Sequence, residues 1–246
     1  MKEQHYFYTP QMYGELPEEE ARHALRVLRL HIGDPLFLMD GKGNFYEAVI
    51  TGATGHRCLY RLTATFPQQP LWQGRIHLAM APTKLVDRTE WFVEKATEIG
   101  LDAFTFLDCD NSERHQIKTE RIERIVVAAM KQSRKAFKPE VSDMVSFDRF
   151  ITQPQRGQCF ICHCHDDIPQ DPPGQRSHLL EAMQTSQTTT VLIGPEGDFS
   201  VREVELALQN GYRSVHLGPS RLRTETAALV AVHCMQLRSQ KNIIAL

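Results

Sequence analysis

From Arg75 onward, short apolar and β-branched runs alternate with longer stretches of helical period, and no other feature of the chain restricts its fold as much. The runs "RIHLAMA", "AFTFLDC", "CFICHCH", "TTTVLIG" and "SVHLG" read as strands, and "DRTEWFVEKATEIG", "TERIERIVVAAMKQSRKA", "VREVELALQNG" and "TETAALVAVHCMQLRS" as helices. Strands alternating with helices predict an α/β domain around a largely parallel sheet. In such sheets ligands collect at the carboxyl ends of the strands.

The first 70 residues have a different texture. Pro17 suits the first turn of a helix, and "PEEEARHALRVLR" carries acids at its start and bases toward its end, as the helix dipole favours. Then "PLFLMD", "NFYEAVIT" and "RCLYRLTATF", separated by "GKG" and "GATGH", predict a small antiparallel meander or barrel. "FPQQPLWQG" reads as a proline-punctuated linker. The expected domains are therefore 1–70, β-rich, and 75–246, α/β.

With 246 residues, of which 41% are hydrophobic, the chain can bury a sizeable core. It has no apolar run long enough to span a membrane, and "MKEQHYFYTPQMYGE" lacks the apolar centre of a secretory signal, so a cytoplasmic protein is expected. Six irregularly spaced cysteines in a chain of this size predict reduced thiols. A net charge of −2 gives no global sign of nucleic-acid binding. One local signal stands out: the stretch from Ser112 to Lys138 holds eight Lys or Arg against three Glu. A solvated helix face with pairs such as Glu120 to Arg124 would account for part of it. Lys131, Arg134, Lys135 and Lys138 have no acidic neighbours in sequence and suit a phosphate partner.

Two strand ends carry unusual loops. After "VLI" comes Gly194-Pro195-Glu196-Gly197, and after "SVHL" comes Gly218-Pro219-Ser220-Arg221-Leu222-Arg223. Glycines let backbone approach a flat ligand, and proline stiffens the loop. Ser200 with Glu203 has capping-box spacing for the helix that follows the first loop. Each loop alone is also compatible with ordinary connecting chemistry. Neither matches a dinucleotide fingerprint or a phosphate-binding P-loop.

Taken together, "LIGPEGDFS" and "LGPSRLRTETAALVA" resemble the two hallmark segments of the SPOUT methyltransferases, and specifically the family that methylates uridine N3 in the decoding region of bacterial 16S ribosomal RNA. "EKATEIGL", "SERH" and "AAMKQSRKAFKPEV" resemble further segments of that family in the same order, and "HALRVLRLHIGD" resembles part of its PUA-like RNA-binding domain. The resemblance implies a PUA-like β-barrel followed by an α/β domain with a C-terminal trefoil knot. It implies S-adenosylmethionine held between the two glycine loops, a homodimer, and ribosomal RNA of the small subunit as partner. The apolar "AALVAVHCM" would suit a dimer interface or a buried core helix equally.

Carried over position by position, the cofactor contacts implied are Gly194, Glu196 and Gly197 from the first segment, and Leu217, Gly218, Leu222, Arg223, Thr226 and Ala227 from the second. The family often has a second glycine where Asp198 stands, and an arginine followed by an aliphatic residue where Ser220 and Arg221 stand. Methylating N3 requires removal of its proton or stabilisation of the uridine anion. Arg223 or Arg114 would stabilise charge on the uracil oxygens, and Glu225, or failing it Glu196, would accept the proton. Arg22, Arg26 and Arg29 on the N-terminal helix, with Lys131, Arg134 and Lys135, are candidate RNA contacts, solvated charge being the plain alternative.

"CFICHCHDD", Cys159 to Asp167, invites a zinc reading. Strand alternation splits its side chains between two faces and no second Cys or His pair completes a site, so a buried strand and no metal are expected. Two other functions fit the same features: a SPOUT ribose 2′-O-methyltransferase, and a noncatalytic RNA-binding assembly factor.

Overall fold

The computed structural model describes residues 5–165 and 176–240. The chain divides into two units, Met1–Pro70 with Val127–Lys138, and Leu71–Val126 with Pro139–Leu246.

In the first unit, β2 (Pro35–Met39), β3 (Asn44–Thr54) and β4 (Arg57–Pro67) form the expected antiparallel meander. Alternation along β4 buries Cys58 and Tyr60 and exposes their neighbours, as a sheet with one covered face requires. Sequence reading did not foresee β1 (Tyr6–Tyr8), which adds to β2 in parallel. A few residues later Leu16 N donates to Cys58 O and Tyr60 N donates to Gly14 O, at 2.9 and 2.8 Å. One short segment thus lines both edges of the sheet, which curls it around Phe7, Leu16, Leu36, Leu38, Ile50 and Tyr60.

Helix α1 (Glu18–Arg22) begins after Pro17 with Glu18, Glu19 and Glu20 in its first turn and continues as a π-helical turn over His23–Val27. Glu20 is buried and takes Lys131 Nζ at 2.6 and 2.8 Å. The sequence places no acid beside Lys131, but the fold does: its partner Glu20 lies 111 residues away in the chain and occupies the charge expected to face phosphate.

The second unit is built on parallel strands in the order β10-β12-β9-β11-β5-β6-β7, with β8 also pairing β6. These are β5 (Ile76–Met80), β6 (Ala103–Asp108), β7 (Glu140–Val141), β8 (Val145–Ser146), β9 (Gln158–Cys162), β10 (Ser177–His178), β11 (Thr189–Ile193) and β12 (Arg213–His216). The helices are α2 (Val86–Ile99), α3 (Thr119–Ser133), α4 (Phe147–Ile151), α5 (Leu179–Ala182), α6 (Val201–Gln209) and α7 (Thr224–Ser239). Central β11 is buried along its whole length. One face of the sheet packs Ile76, Leu78, Val191 and Ile193 against Phe92 and Val93 of α2 and Ala228, Ala231, Val232 and Met235 of α7. The other packs Ala79, Ile161 and Leu192 against Phe147 and Phe150 of α4 and Val204 and Ala207 of α6. Helices on both faces of a parallel sheet are the α/β architecture that the alternation predicts.

The stretch expected as a linker is anchored at its end. Trp72 Nε1 donates to Asp102 Oδ2 at 2.9 Å, and Ile76 N donates to the same oxygen at 2.7 Å. Burial raises the carboxyl of Asp102, and these two bonds offset part of the effect. The six cysteines are free thiols.

Candidate active site

Because the strands of the second unit are parallel, the loops that follow β5, β6, β9, β11 and β12 leave the sheet on the same side. Five loops meeting at one rim can build a site from residues far apart in sequence.

The loop after β11 starts with Gly194 and Pro195, both buried, and leads to Phe199, fully buried. A Cβ at Gly194 would lie 3.0 Å from Phe199 N and Cδ2, so glycine here permits the close return of the chain. Asp198 N donates to Pro195 O at 2.9 Å and closes a turn over Glu196 and Gly197, which are exposed. Ser200 then caps α6 in a full capping box with Glu203, as its spacing predicts.

Neighbouring loops hold this turn in place. Glu196 Oε2 accepts from Lys84 N at 3.0 Å, in the loop after β5. Arg114 Nε and Nη2 donate to Thr83 O and Lys84 O at 3.1 and 2.6 Å, fixing the loop after β6 to the same backbone. Asn111 Nδ2 donates to Asp198 O at 3.1 Å. Arg202 bonds Asp110 and Asp148, and its guanidinium with the Ser200 hydroxyl holds the Asp110 carboxyl below its usual range. From the loop after β9, Cys164 N donates to Asp198 Oδ2 at 2.7 Å and His165 Nε2 meets Phe199 O at 2.6 Å. Sequence reading missed Lys84, Asp110, Asn111 and Arg202, which carry no local motif.

The loop after β12 contrasts with this tied arrangement. Gly218 has φ +116°, where side chains are strained, and a Cβ there would meet nothing within 4 Å among the described residues. Leu217, Leu222, Thr226 and Ala227 are half-buried around it, and Arg223 is exposed as the N-cap of α7 with no side-chain partner among the described residues. Glu225, in the first turn of α7, is 8% exposed. Its Oε1 lies 3.8 Å from Arg88 Nη1, while its Oε2 is buried without a hydrogen-bond partner among the described residues. Buried carboxylate oxygens are nearly always bonded, so this one is positioned to receive a donor.

The candidate RNA contacts are in the first unit. Arg22 pairs with Glu18 at 3.3 Å and Arg26 Nη2 meets His56 Nε2 at 3.3 Å. Arg29 lies beyond the helix, not on it, with φ 55°. Arg134, also at positive φ, sits over the Tyr6 ring at 5.8 Å, and Lys135 is half-buried. Lys131 is held by Glu20, and in the second unit Arg121 bonds Glu90 instead of the anticipated Glu120–Arg124 pair.

In the cysteine- and histidine-rich strand, buried His163 meets Ser214 Oγ at 2.6 Å through Nε2. Burial pushes the Cys159 thiol up to about 11 and raises the Cys162 thiol as well. No cluster of three metal-ligating side chains occurs among the described residues, and Asp166 and Asp167 lie outside them. Among the described residues no helix is long and apolar enough to cross a membrane.

The family described as RNA methyltransferase domain matches residues 70–236, and that described as RNA methyltransferase PUA domain matches residues 16–62. A Bacillus subtilis protein named ribosomal RNA small subunit methyltransferase E is 25% identical over 246 residues, 94% of each chain. Among solved structures, a probable rRNA-methyltransferase from Porphyromonas gingivalis is 42% identical, with a TM-score of 0.86 over 94% of this chain and 98% of that one. The ribosomal RNA small subunit methyltransferase E of Neisseria gonorrhoeae, bound to S-adenosylmethionine, is 25% identical, with a TM-score of 0.81 over 95% and 97% of the two chains.

Proposed function

The chain belongs to the RNA methyltransferase family, with that family's PUA domain at its N-terminus, and from this premise we propose that it methylates N3 of a uridine in the decoding region of small-subunit ribosomal RNA, using S-adenosylmethionine. The observation that carries the reading is the pair of loops flanking the end of β9: one tied to neighbouring loops through Glu196 and Asp198, the other with no described residue within 4 Å of a Cβ placed at Gly218. The names of the relatives from B. subtilis and N. gonorrhoeae support the substrate class, and the bound cofactor in the latter supports the cofactor.

The residues fit such a cofactor. Gly194, Glu196, Gly197, Leu217, Gly218, Leu222, Arg223, Thr226 and Ala227 would hold it, with Leu217 and Leu222 as apolar walls and the glycine backbone reading the adenine edge. When bound, it supplies a methyl group on a positively charged sulfur. The chain's own groups would prepare the acceptor. Glu225 Oε2, buried and without a hydrogen-bond partner among the described residues, would take the N3 proton. Exposed Arg223 would place positive charge at the uracil oxygens, and Arg114, with two donors already on backbone carbonyls, would contribute through the remaining nitrogen.

Arg22, Arg26 and Arg29 of residues 1–70, together with Arg134 and Lys135, would position the RNA, and residues 75–246 would carry the chemistry. Lys131 would act there indirectly, through its bond to Glu20. The same reading includes the C-terminal trefoil knot and a homodimer in the cytoplasm. Replacing Glu225 by Gln tests the site: cofactor affinity within about threefold of the parent, with transfer lowered about 10²–10⁴-fold, is expected. Full turnover by that variant would remove Glu225 from the mechanism.

A further inference from the structure

We propose that Asp198 is a positioning residue whose carboxylate ties the loop after β9 to the glycine loop after β11, and so sets the shape in which the glycine loop receives the cofactor. This rests on the reading that the loop carries S-adenosylmethionine.

Asp198 has φ 63°, a left-handed conformation that glycine adopts without strain and that aspartate adopts only at a cost. A residue kept there against its backbone preference needs a compensating use for its side chain, and both carboxylate oxygens have one. Oδ1 accepts from Phe199 N at 2.8 Å, and Oδ2 accepts from Cys164 N at 2.7 Å. The first bond is local and belongs to many turns. The second crosses to another strand's loop, 34 residues away. Beside it, His165 Nε2 meets Phe199 O at 2.6 Å and lies 3.9 Å from Asp198 Oδ2, so two consecutive residues of the β9 loop are fastened to the Asp198–Phe199 dipeptide.

The position of this tie gives it a functional reach. Strand β9 lies between β11 and β12 in the sheet, so the segment starting at His163 emerges between the two glycine loops. Asp198 binds Cys164 of that segment on the β11 side. Its backbone oxygen also receives Asn111 Nδ2 at 3.1 Å, so this single residue joins the loops that follow β6, β9 and β11. A glycine in its place would accept the same φ without strain and keep the backbone bonds, but would release Cys164. Asparagine tolerates the same φ and retains one side-chain acceptor without the charge.

The test compares the full-length parent with D198G and D198N by thermal melting and by calorimetric titration with S-adenosylmethionine. For D198G the account expects a melting temperature close to the parent's, because relief of strain offsets the lost bonds. It expects cofactor binding about tenfold weaker, as loss of a charge-assisted bond would give, and faster hydrogen exchange at the Cys164 amide. The KM for the cofactor should rise while kcat at saturation stays near the parent's, a split that a general loss of stability would not produce. Equal affinity in parent and D198G would overturn the proposal and leave Asp198 as a turn residue only. A parent chain that does not bind the cofactor would overturn the underlying reading of the loop, and this inference with it. Should D198G fail to melt cooperatively, D198N decides when read with the Cys164 amide: faster hydrogen exchange there with weaker cofactor binding supports the tie, and faster exchange with unchanged binding overturns it.

Discussion

Gly218 and Gly211 form a matched pair that separates backbone strain from ligand exclusion. Both have positive φ, +116° and +84°, and at both an added Cβ would meet no described residue within 4 Å. They differ in place: Gly211 precedes β12, at the amino end of the sheet, and Gly218 follows it, at the carboxyl end where the proposed site lies. Alanine at either position should cost about 1–2 kcal/mol, a left-handed or extended positive-φ strain less the reduced freedom of the unfolded chain. At about 2–4 °C per kcal/mol for a chain of this size, each variant should melt about 2–8 °C below the parent. Only at Gly218 does the new methyl group enter space assigned to the cofactor. Overpacking of about 1–3 kcal/mol corresponds to binding weakened about 5- to 150-fold. Melting curves and calorimetric titration of G211A and G218A with S-adenosylmethionine read both effects. Equal cofactor affinity in the two variants would refute the assignment of the open space at Gly218.

Other expectations follow from single contacts. Burial, followed by the nearby Arg75 charge, lowers His77 to about 4 from an ordinary value of 6.5, so the unfolded chain binds its proton first as pH falls. The stabilisation is present above about pH 6.5 and is lost on the way to pH 4, about 2–3 kcal/mol for this half-buried ring, and H77Q should remove that part of the pH dependence measured in urea. In the first unit, a double-mutant cycle of E20Q and K131M should give a coupling of about 1–3 kcal/mol that changes little with salt, since both groups are mostly enclosed; a coupling below about 0.5 kcal/mol would contradict a structural role for Lys131. S200A should lower stability by about 1–2 kcal/mol in denaturant melts, because it removes both the helix cap and a donor to Asp110, and an unchanged midpoint would contradict that accounting.

Much of the α/β unit was legible because its elements are local. The β-branched run at Thr188–Ile193, the helical period of "VREVELALQNG" and the serine and glutamate three residues apart all depend on neighbours within a turn or two. The short elements β7, β8, β10, α4 and α5 were not read, since two to five residues carry too little periodicity. The parallel addition of Tyr6–Tyr8 and the Glu20–Lys131 pair join distant parts of the chain, which no window along the sequence can register. The same limit applied to the candidate site. Its glycine loops were visible as motifs, whereas the Lys84–Glu196 and Asn111–Asp198 bonds exist only once parallel strands bring five loops to one rim.

The central claim is that this chain transfers a methyl group to uridine N3 in small-subunit ribosomal RNA. The most direct measurement is to incubate the purified protein with isotopically labelled S-adenosylmethionine and either naked small-subunit RNA or assembled subunits, both lacking the modification, then to digest the RNA and identify the labelled nucleoside by mass spectrometry. The account predicts a single product, N3-methyluridine, from one site in the decoding region. A label recovered on a ribose 2′-oxygen, or RNA that binds without acquiring a label, would contradict it.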